Sequence, residues 1–153
     1  NATINLDPLG FRGARVDLEV VKRDMNVIDP FTGLNRPFSY DQEGSFEIDF
    51  RHDVPGTDWA WGANLDHFDQ APYARRFEIG REWEGKVFGS LFIEHKDVLG
   101  LTVRARAHNL LGARDYFQRT VFDGPRPEGA VRFEEYRSRR IGPIFRLTVS
   151  GDF

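Results

Sequence analysis

Leu101-Thr102-Val103-Arg104-Ala105-Arg106-Ala107-His108 is the stretch that decides the fold. Leu101, Val103, Ala105 and Ala107 alternate one for one with Thr102, Arg104, Arg106 and His108. Successive side chains leave a β-strand on opposite faces, so a period of two makes one side apolar and the other charged. The same rhythm recurs on both sides of this stretch. Val16, Leu18 and Val20 alternate with Arg15, Asp17 and Glu19; Phe46, Ile48 and Phe50 with Glu47, Asp49 and Arg51. Trp59, Trp61, Ala63 and Leu65 follow, then Phe77 and Ile79, and finally Phe145, Leu147 and Val149 between Arg146, Thr148 and Ser150. No stretch has a 3.6-residue apolar period long enough for a helix.

Turn residues punctuate the runs at Asp7-Pro8-Leu9-Gly10, Pro55-Gly56-Thr57-Asp58, Glu84-Gly85, Val98-Leu99-Gly100 and Leu110-Leu111-Gly112. The runs predict an all-β, antiparallel, up-and-down meander of about nine strands, at 1–6, 11–25, 45–54, 59–68, 74–83, 86–96, 100–110, 114–122 and 139–153. Long polar connections are expected at 26–44 and 123–138. The short turns at 7–10, 55–58, 84–85 and 111–113 are expected at one end of the sheet. The connections near 26–44, 69–73, 97–99 and 123–138 are expected at the other.

The chain has 153 residues, 21 Lys and Arg, 24 Asp and Glu, a net charge of −3, one Met and no Cys. That length suits one domain, 1–153. Without Cys there is no disulfide framework, thiolate metal site or Cys nucleophile. The acidic balance argues against nucleic-acid binding. GxSxG, P-loop and GxGxxG motifs are all absent, so no catalytic residue, cofactor or enzyme activity is expected. His52, His67, His95 and His108 lie beside carboxylates in places, but neighbours in a strand point to opposite sides and do not converge on a metal. The carboxylates Asp17, Glu19, Glu47 and Asp49 read as a charged wall rather than an acid/base pair.

The segment Val103-Arg104-Ala105-Arg106-Ala107-His108-Asn109-Leu110-Leu111-Gly112, then Asp115-Tyr116-Phe117, a long connection and a terminal alternating strand ending in Phe153, resembles the C-terminal part of a TonB-dependent outer-membrane receptor. Asp29-Pro30-Phe31-Thr32-Gly33 and Asp49-Phe50-Arg51-His52-Asp53-Val54-Pro55 are also similar to stretches of that group. The resemblance implies a segment of a transmembrane β-barrel in the outer membrane of a Gram-negative bacterium, without the plug domain and the TonB box. It implies active transport of a scarce ligand, such as an iron-siderophore, vitamin B12 or a carbohydrate, energised through TonB. It implies outer-membrane lipid and the barrel assembly machinery as partners, with TonB and the plug partners of the intact protein only. Gly142, Phe145, Leu147, Val149 and Phe153 match the assembly signal.

In such a wall the apolar side meets acyl chains and the charged side lines the lumen. Trp59, Trp61 and Trp83 are expected in one aromatic row at the membrane interface, and Tyr73 with Phe68 in the opposite one. Asp29, Arg36, Tyr40, Arg126 and Tyr136 are the ligand-contact candidates, because loops on a rigid scaffold carry recognition. Alone, the segment is expected to close into a small barrel or sandwich, or to pair with another copy as a homo-oligomer. The alternatives are a self-contained small outer-membrane barrel and a soluble lipocalin-like ligand-binding barrel with its apolar residues inside.

Overall fold

The computed structural model describes residues 1–151. Strands make up 66% of the chain, all pairing is antiparallel, and there is no α-helix among the described residues. The strands are β1 (Ala2–Asn5), β2 (Ala14–Lys22), β3 (Asn26–Ile28), β4 (Asn35–Pro37), β5 (Gln42–Asp53), β6 (Trp59–Gln70), β7 (Tyr73–Ala74), β8 (Glu78–Glu84), β9 (Phe88–Val98), β10 (Leu101–His108), β11 (Arg114–Asp123), β12 (Ala130–Arg140) and β13 (Ile144–Ser150). One sheet has the order β1-β2-β5-β6-β9-β10-β13, a second β12-β11-β8-β7, and β3 and β4 form a short hairpin.

The thirteen strands replace the nine expected, because several are two halves of one ribbon. Between the pairs Asp66–Phe88 and Tyr73–Gly80, one ribbon advances seven residues while its neighbour retreats eight. Between Leu91–Ala107 and Glu84–Asp115 the steps are seven and eight, and between His108–Ile144 and Arg114–Arg140 they are six and four. The register therefore continues across each interruption with a slip of one or two residues, as at a β-bulge. β6 with β7, β8 with β9, β10 with β11, and β12 with β13 are single ribbons, creased at 71–72, 85–87, 109–113 and 141–143. The meander stands, in seven ribbons.

This corrects the expected sorting of the ends. Residues 84–85 and 111–113 are creases, not chain reversals. The reversals at 6–13, 54–58 and 99–100 share one end: the Asp53 amide bonds to Gly13 O at 2.8 Å and the Lys96 amide to Asp58 O at 2.8 Å. The long connection 23–41 and the reversals 75–77 and 124–129 lie at the other. Residues 130–138, expected in a loop, belong to β12. That strand is an edge with charges on both sides, so it shows no alternation. β3 and β4 likewise lie within the expected loop 26–44.

The sheet is not a closed barrel, which removes the small barrel from the expected outcomes of barrel, sandwich or pairing with another copy. Its edge strands β1 and β13 are separated by six antiparallel steps and so run the same way. Joining them would put a parallel seam into an antiparallel wall, whereas closed antiparallel meanders have even strand numbers.

Asn109 ties the creases together. It is buried, with φ 55°, in the left-handed region that Asn tolerates better than most residues. Its Nδ2 donates to Ile141 O at 2.7 Å and Ala113 O at 3.2 Å, and its Oδ1 accepts from the Ala113 amide at 2.7 Å. The Gly85 amide adds a bond to Arg114 O at 3.0 Å, so three neighbouring ribbons crease at one level.

Candidate functional site

The register assigns every side chain of the seven-stranded sheet to a side. Val16, Leu18, Phe46, Ile48, Phe50, Ala63, Leu65, Leu91, Ile93, Val103, Ala105, Ala107, Phe145, Leu147 and Val149 share one. Asp17, Glu19, Glu47, Asp49, Arg51, Asn64, Asp66, Ser90, Glu94, Arg104 and Arg106 share the other. The apolar side is the open one: Leu91 is 52% exposed, Ile93 51%, Leu147 69% and Phe145 78%. The polar side is covered over the central strands β6 and β9: Asn64 is 5% exposed, Ser90 6% and Glu94 7%, whereas Glu19, Arg146 and Thr148 toward the edges are exposed.

The covered side is held by charge. Glu94 accepts from Arg51 Nη2 at 2.6 Å and Arg104 Nε at 2.6 Å. Arg51 also donates two bonds to Asp53, at 2.9 and 3.0 Å, and Lys96 Nζ lies 2.6 Å from the same carboxylate. The Phe92 ring lies between Arg104, at 4.4 Å, and Arg51, at 5.7 Å. That ring sits over Gly62, where a Cβ would collide with it and with the Phe50 carbonyl. Asn64 Nδ2 donates to both Glu47, at 2.9 Å, and Asp49, at 3.0 Å, holding two carboxylates side by side. These acids gather as expected, yet among the described residues no group of three or more His, Asp or Glu is placed to hold a metal.

Aromatic rows bound the open side. At the end with the short reversals, Trp61 Nε1 donates to His52 Nδ1 at 3.0 Å, Phe11 stacks on His52 at 4.6 Å, and Trp59 meets His95 edge-on at 4.6 Å. Beyond the creases, Trp83 stacks on Tyr116 at 5.4 Å, and Tyr136 lies 6.1 Å from Tyr116. This second cluster continues the apolar side. β8 and β9 keep one alternation across their crease, and Arg81, beside Trp83, pairs with Asp69 on the apolar side of β6. From His95 back to Trp83 is twelve residues, or ~40 Å of strand at about 3.3 Å per residue. For strands tilted by about 45°, as in outer-membrane barrels, that length would project to ~28 Å, against an apolar band of ~25 Å.

The expected interface residues are thus redistributed. Trp59 and Trp61 share a row, as read from the sequence. Trp83 belongs to the opposite row, because the 84–85 break is a crease. Tyr73 is buried, stacked on Tyr40 at 5.0 Å. His52 and His95 lie on the apolar side, within the aromatic row.

The loop candidates bond mostly to one another. Asp29 is buried between the two connections. Its Oδ2 accepts from Arg126 Nη2 at 2.9 Å and Arg36 Nε at 2.8 Å, and its Oδ1 from the amides of Phe31 and Thr32 at 2.9 and 3.2 Å. These donors, Arg126 foremost, hold the Asp29 carboxyl far below the usual carboxylate range. Arg126 is also buried, and its Nε donates to Arg75 O at 2.7 Å. The Tyr40 hydroxyl accepts from Arg75 Nη2 at 3.0 Å. Tyr136 lies in β12, not in a loop.

Of the residues that the resemblance matches to an assembly signal, Gly142 lies in the last crease, and Phe145, Leu147 and Val149 line the apolar side of β13. Phe153 lies outside the described residues.

A cavity of about 600 Å³ opens where β8 and β11 part from the end of β6, lined by Phe68, Gln70, Glu82, Glu84, Asp115 and Phe117 among others. No protein-family model, curated protein or solved structure matches this chain.

Proposed function

We propose that this chain is a length of transmembrane wall from an outer-membrane β-barrel, the C-terminal segment of a TonB-dependent receptor. Its work is to help form the conduit for a scarce ligand, not to catalyse a reaction. One observation carries the reading: the apolar side of the sheet is open and the ion-paired side is covered. Burying open Leu, Ile and Phe side chains in hydrocarbon gains about 25 cal/mol for each Å² taken from water. The opposite side keeps its carboxylates and guanidinium groups where water and cross-strand partners satisfy them. A lipocalin-like barrel has the reverse sidedness.

Three further features support it. The aromatic rows bracket a band of membrane height. Short reversals lie at one end and the longest connection at the other. Among the described residues both edges of the sheet, β1 and β13, are unpaired, and only further strands complete a wall whose backbone is satisfied within lipid. The receptor assignment rests on the resemblance at 101–153.

The test of the wall is to reconstitute the chain into vesicles whose phosphatidylcholine carries brominated acyl chains. Trp59, Trp61 and Trp83 are then quenched. Unchanged emission, with the chain left in the aqueous phase, sinks the proposal. The test of the receptor is the reading frame upstream of Asn1. Plug-domain sequence and further alternating strands are expected there; a secretory signal immediately before Asn1 would overturn the receptor assignment.

A further inference from the structure

We infer that the cavity where β8 and β11 part from the end of β6 is a binding site for short zwitterionic peptides, which place their ammonium end at Glu82 and Glu84 and their carboxylate end at Arg137 and Arg139. The inference rests on the membrane reading above and names the class of ligand that the conduit takes.

The register brings these groups together. Glu84, Asp115 and Arg139 form one row across β8, β11 and β12, and Glu82, Phe117 and Arg137 form the next. Trp83, Tyr116 and Ser138 form the row between them and point to the opposite, apolar side. The cavity lining includes all three rows as the unbroken triplets 82–84, 115–117 and 137–139. Three adjacent strand backbones are therefore its floor, and the six outer side chains stand around it on the ion-paired side of the wall. At about 600 Å³ it has the size of a small-ligand site.

Charge in the cavity is sorted by strand. Glu78, further along β8, pairs with Arg75 and Arg119, whereas among the described residues Glu82 and Glu84 pair with nothing. One oxygen of Glu84 is closed to solvent without a hydrogen bond, and Glu84 stands directly opposite Asp115, like charge against like charge. An ammonium group brought to this wall offsets both costs. On β12, Arg137 Nε lies 2.9 Å from Glu135, and Arg139 Nε donates to Asp115 at 3.0 Å. A guanidinium has five N–H donors, so both forks keep donors for a second carboxylate. Between acid and base lies the Phe117 ring, 4.3 Å from the Arg137 guanidinium. Two strand spacings separate β8 from β12, ~10 Å, and an extended tripeptide at about 3.3 Å per residue spans the same distance. Its middle side chain then falls over Phe117, which suits an apolar residue there.

The experiment is isothermal titration of the full chain in detergent micelles with alanyl-phenylalanyl-alanine and with its N-acetylated, C-amidated and doubly blocked forms. The free tripeptide is expected to bind at least tenfold more tightly than any blocked form. E82Q/E84Q is expected to lose the preference over the acetylated form and keep that over the amide; R137Q is expected to weaken the preference over the amide alone. E19Q, on the same side but far from the cavity, is expected to match the parent. Equal binding of all four peptides by the parent, no binding of the free tripeptide, or an unchanged preference in E82Q/E84Q overturns the site. Brominated-chain quenching is read for every protein. Quenching without peptide discrimination removes the peptide site and leaves the wall; quenching absent in the parent removes both. Equal quenching in E82Q/E84Q excludes misfolding as the cause of its lost preference.

Discussion

The Asp29 carboxylate and the Arg126 guanidinium, 97 residues apart in sequence, meet at 2.9 Å in a buried ion pair that clasps two chain connections together. Arg36 and two backbone amides complete the shell around Asp29, so the carboxylate has little capacity left for a ligand. The segment around 29–36 and the reversal at 124–129 therefore behave as one body.

Asp29→Asn is expected to release that body. Removing one partner strands the buried Arg126 charge, which costs about 3–5 kcal/mol in comparable sites. Limited proteolysis is the measure: cleavage within 23–41 and 124–129 should rise together in the variant, while the β5–β6 region stays protected. Cleavage rising in one connection only would contradict a shared clasp.

The same carboxylate sets a pH dependence. Its folded pKa is depressed, so its contribution to stability is complete above the unfolded value of about 4. The contribution declines as the pH falls from there through the lowered folded value. The parent chain should lose protection of the two connections in strong acid but not between pH 5 and 7. Asp29→Asn should lack this component, and a parallel acid response in both proteins would rule it out.

Asn109→Ala is expected to loosen the creases. The change orphans the Ala113 amide and the Ile141 carbonyl and puts a Cβ without polar atoms at positive φ. A lost buried partner costs about 1–3 kcal/mol, and the backbone strain roughly another 1. Hydrogen exchange at Ala113 and Arg114 is the readout, with faster exchange expected there than at Ala105.

Gly62→Ala is expected to destabilise the covered side by about 1–3 kcal/mol, as overpacking does. Adding Phe92→Ala should not restore stability, because the Phe50 carbonyl still blocks the new methyl. Urea midpoints of the single and double variants decide this, and a full rescue would place the clash in the ring alone.

Leu91→Lys separates a lipid-facing side from a water-facing one. Leu91 is already half exposed, so in water the change should be nearly neutral. In a bilayer it should cost about 2–4 kcal/mol near the midplane. Thr148→Lys, on the polar side of β13, should cost little in either setting. Insertion into vesicles that is equal for both variants would argue against the wall.

The sidedness of the sheet was legible from the alternation alone, since Phe46–Arg51 and Leu101–His108 announce both faces without any tertiary knowledge. The distinction between a crease and a reversal was not. Leu110-Leu111-Gly112 and Pro55-Gly56-Thr57 both use a glycine at positive φ, and only the register of neighbouring ribbons separates a bulge from a turn. That register is non-local, so Trp83 was assigned to the wrong end. β12 was hidden because an edge strand tolerates charge on both sides. The Asp29–Arg126 pair left no local trace, although both residues stood out as charged positions in long polar connections.

The creases at 85–87, 109–113 and 141–143 lie along one line across three adjoining ribbons. Along that line the regular ladder is replaced by a few bonds, those of Asn109, Leu110 and Gly85, so bending is expected to cost less there than in the regular pairing on either side. A load applied at the 124–129 reversal is thus expected to turn the far portion about that line, with the strands nearer the short turns keeping their alignment.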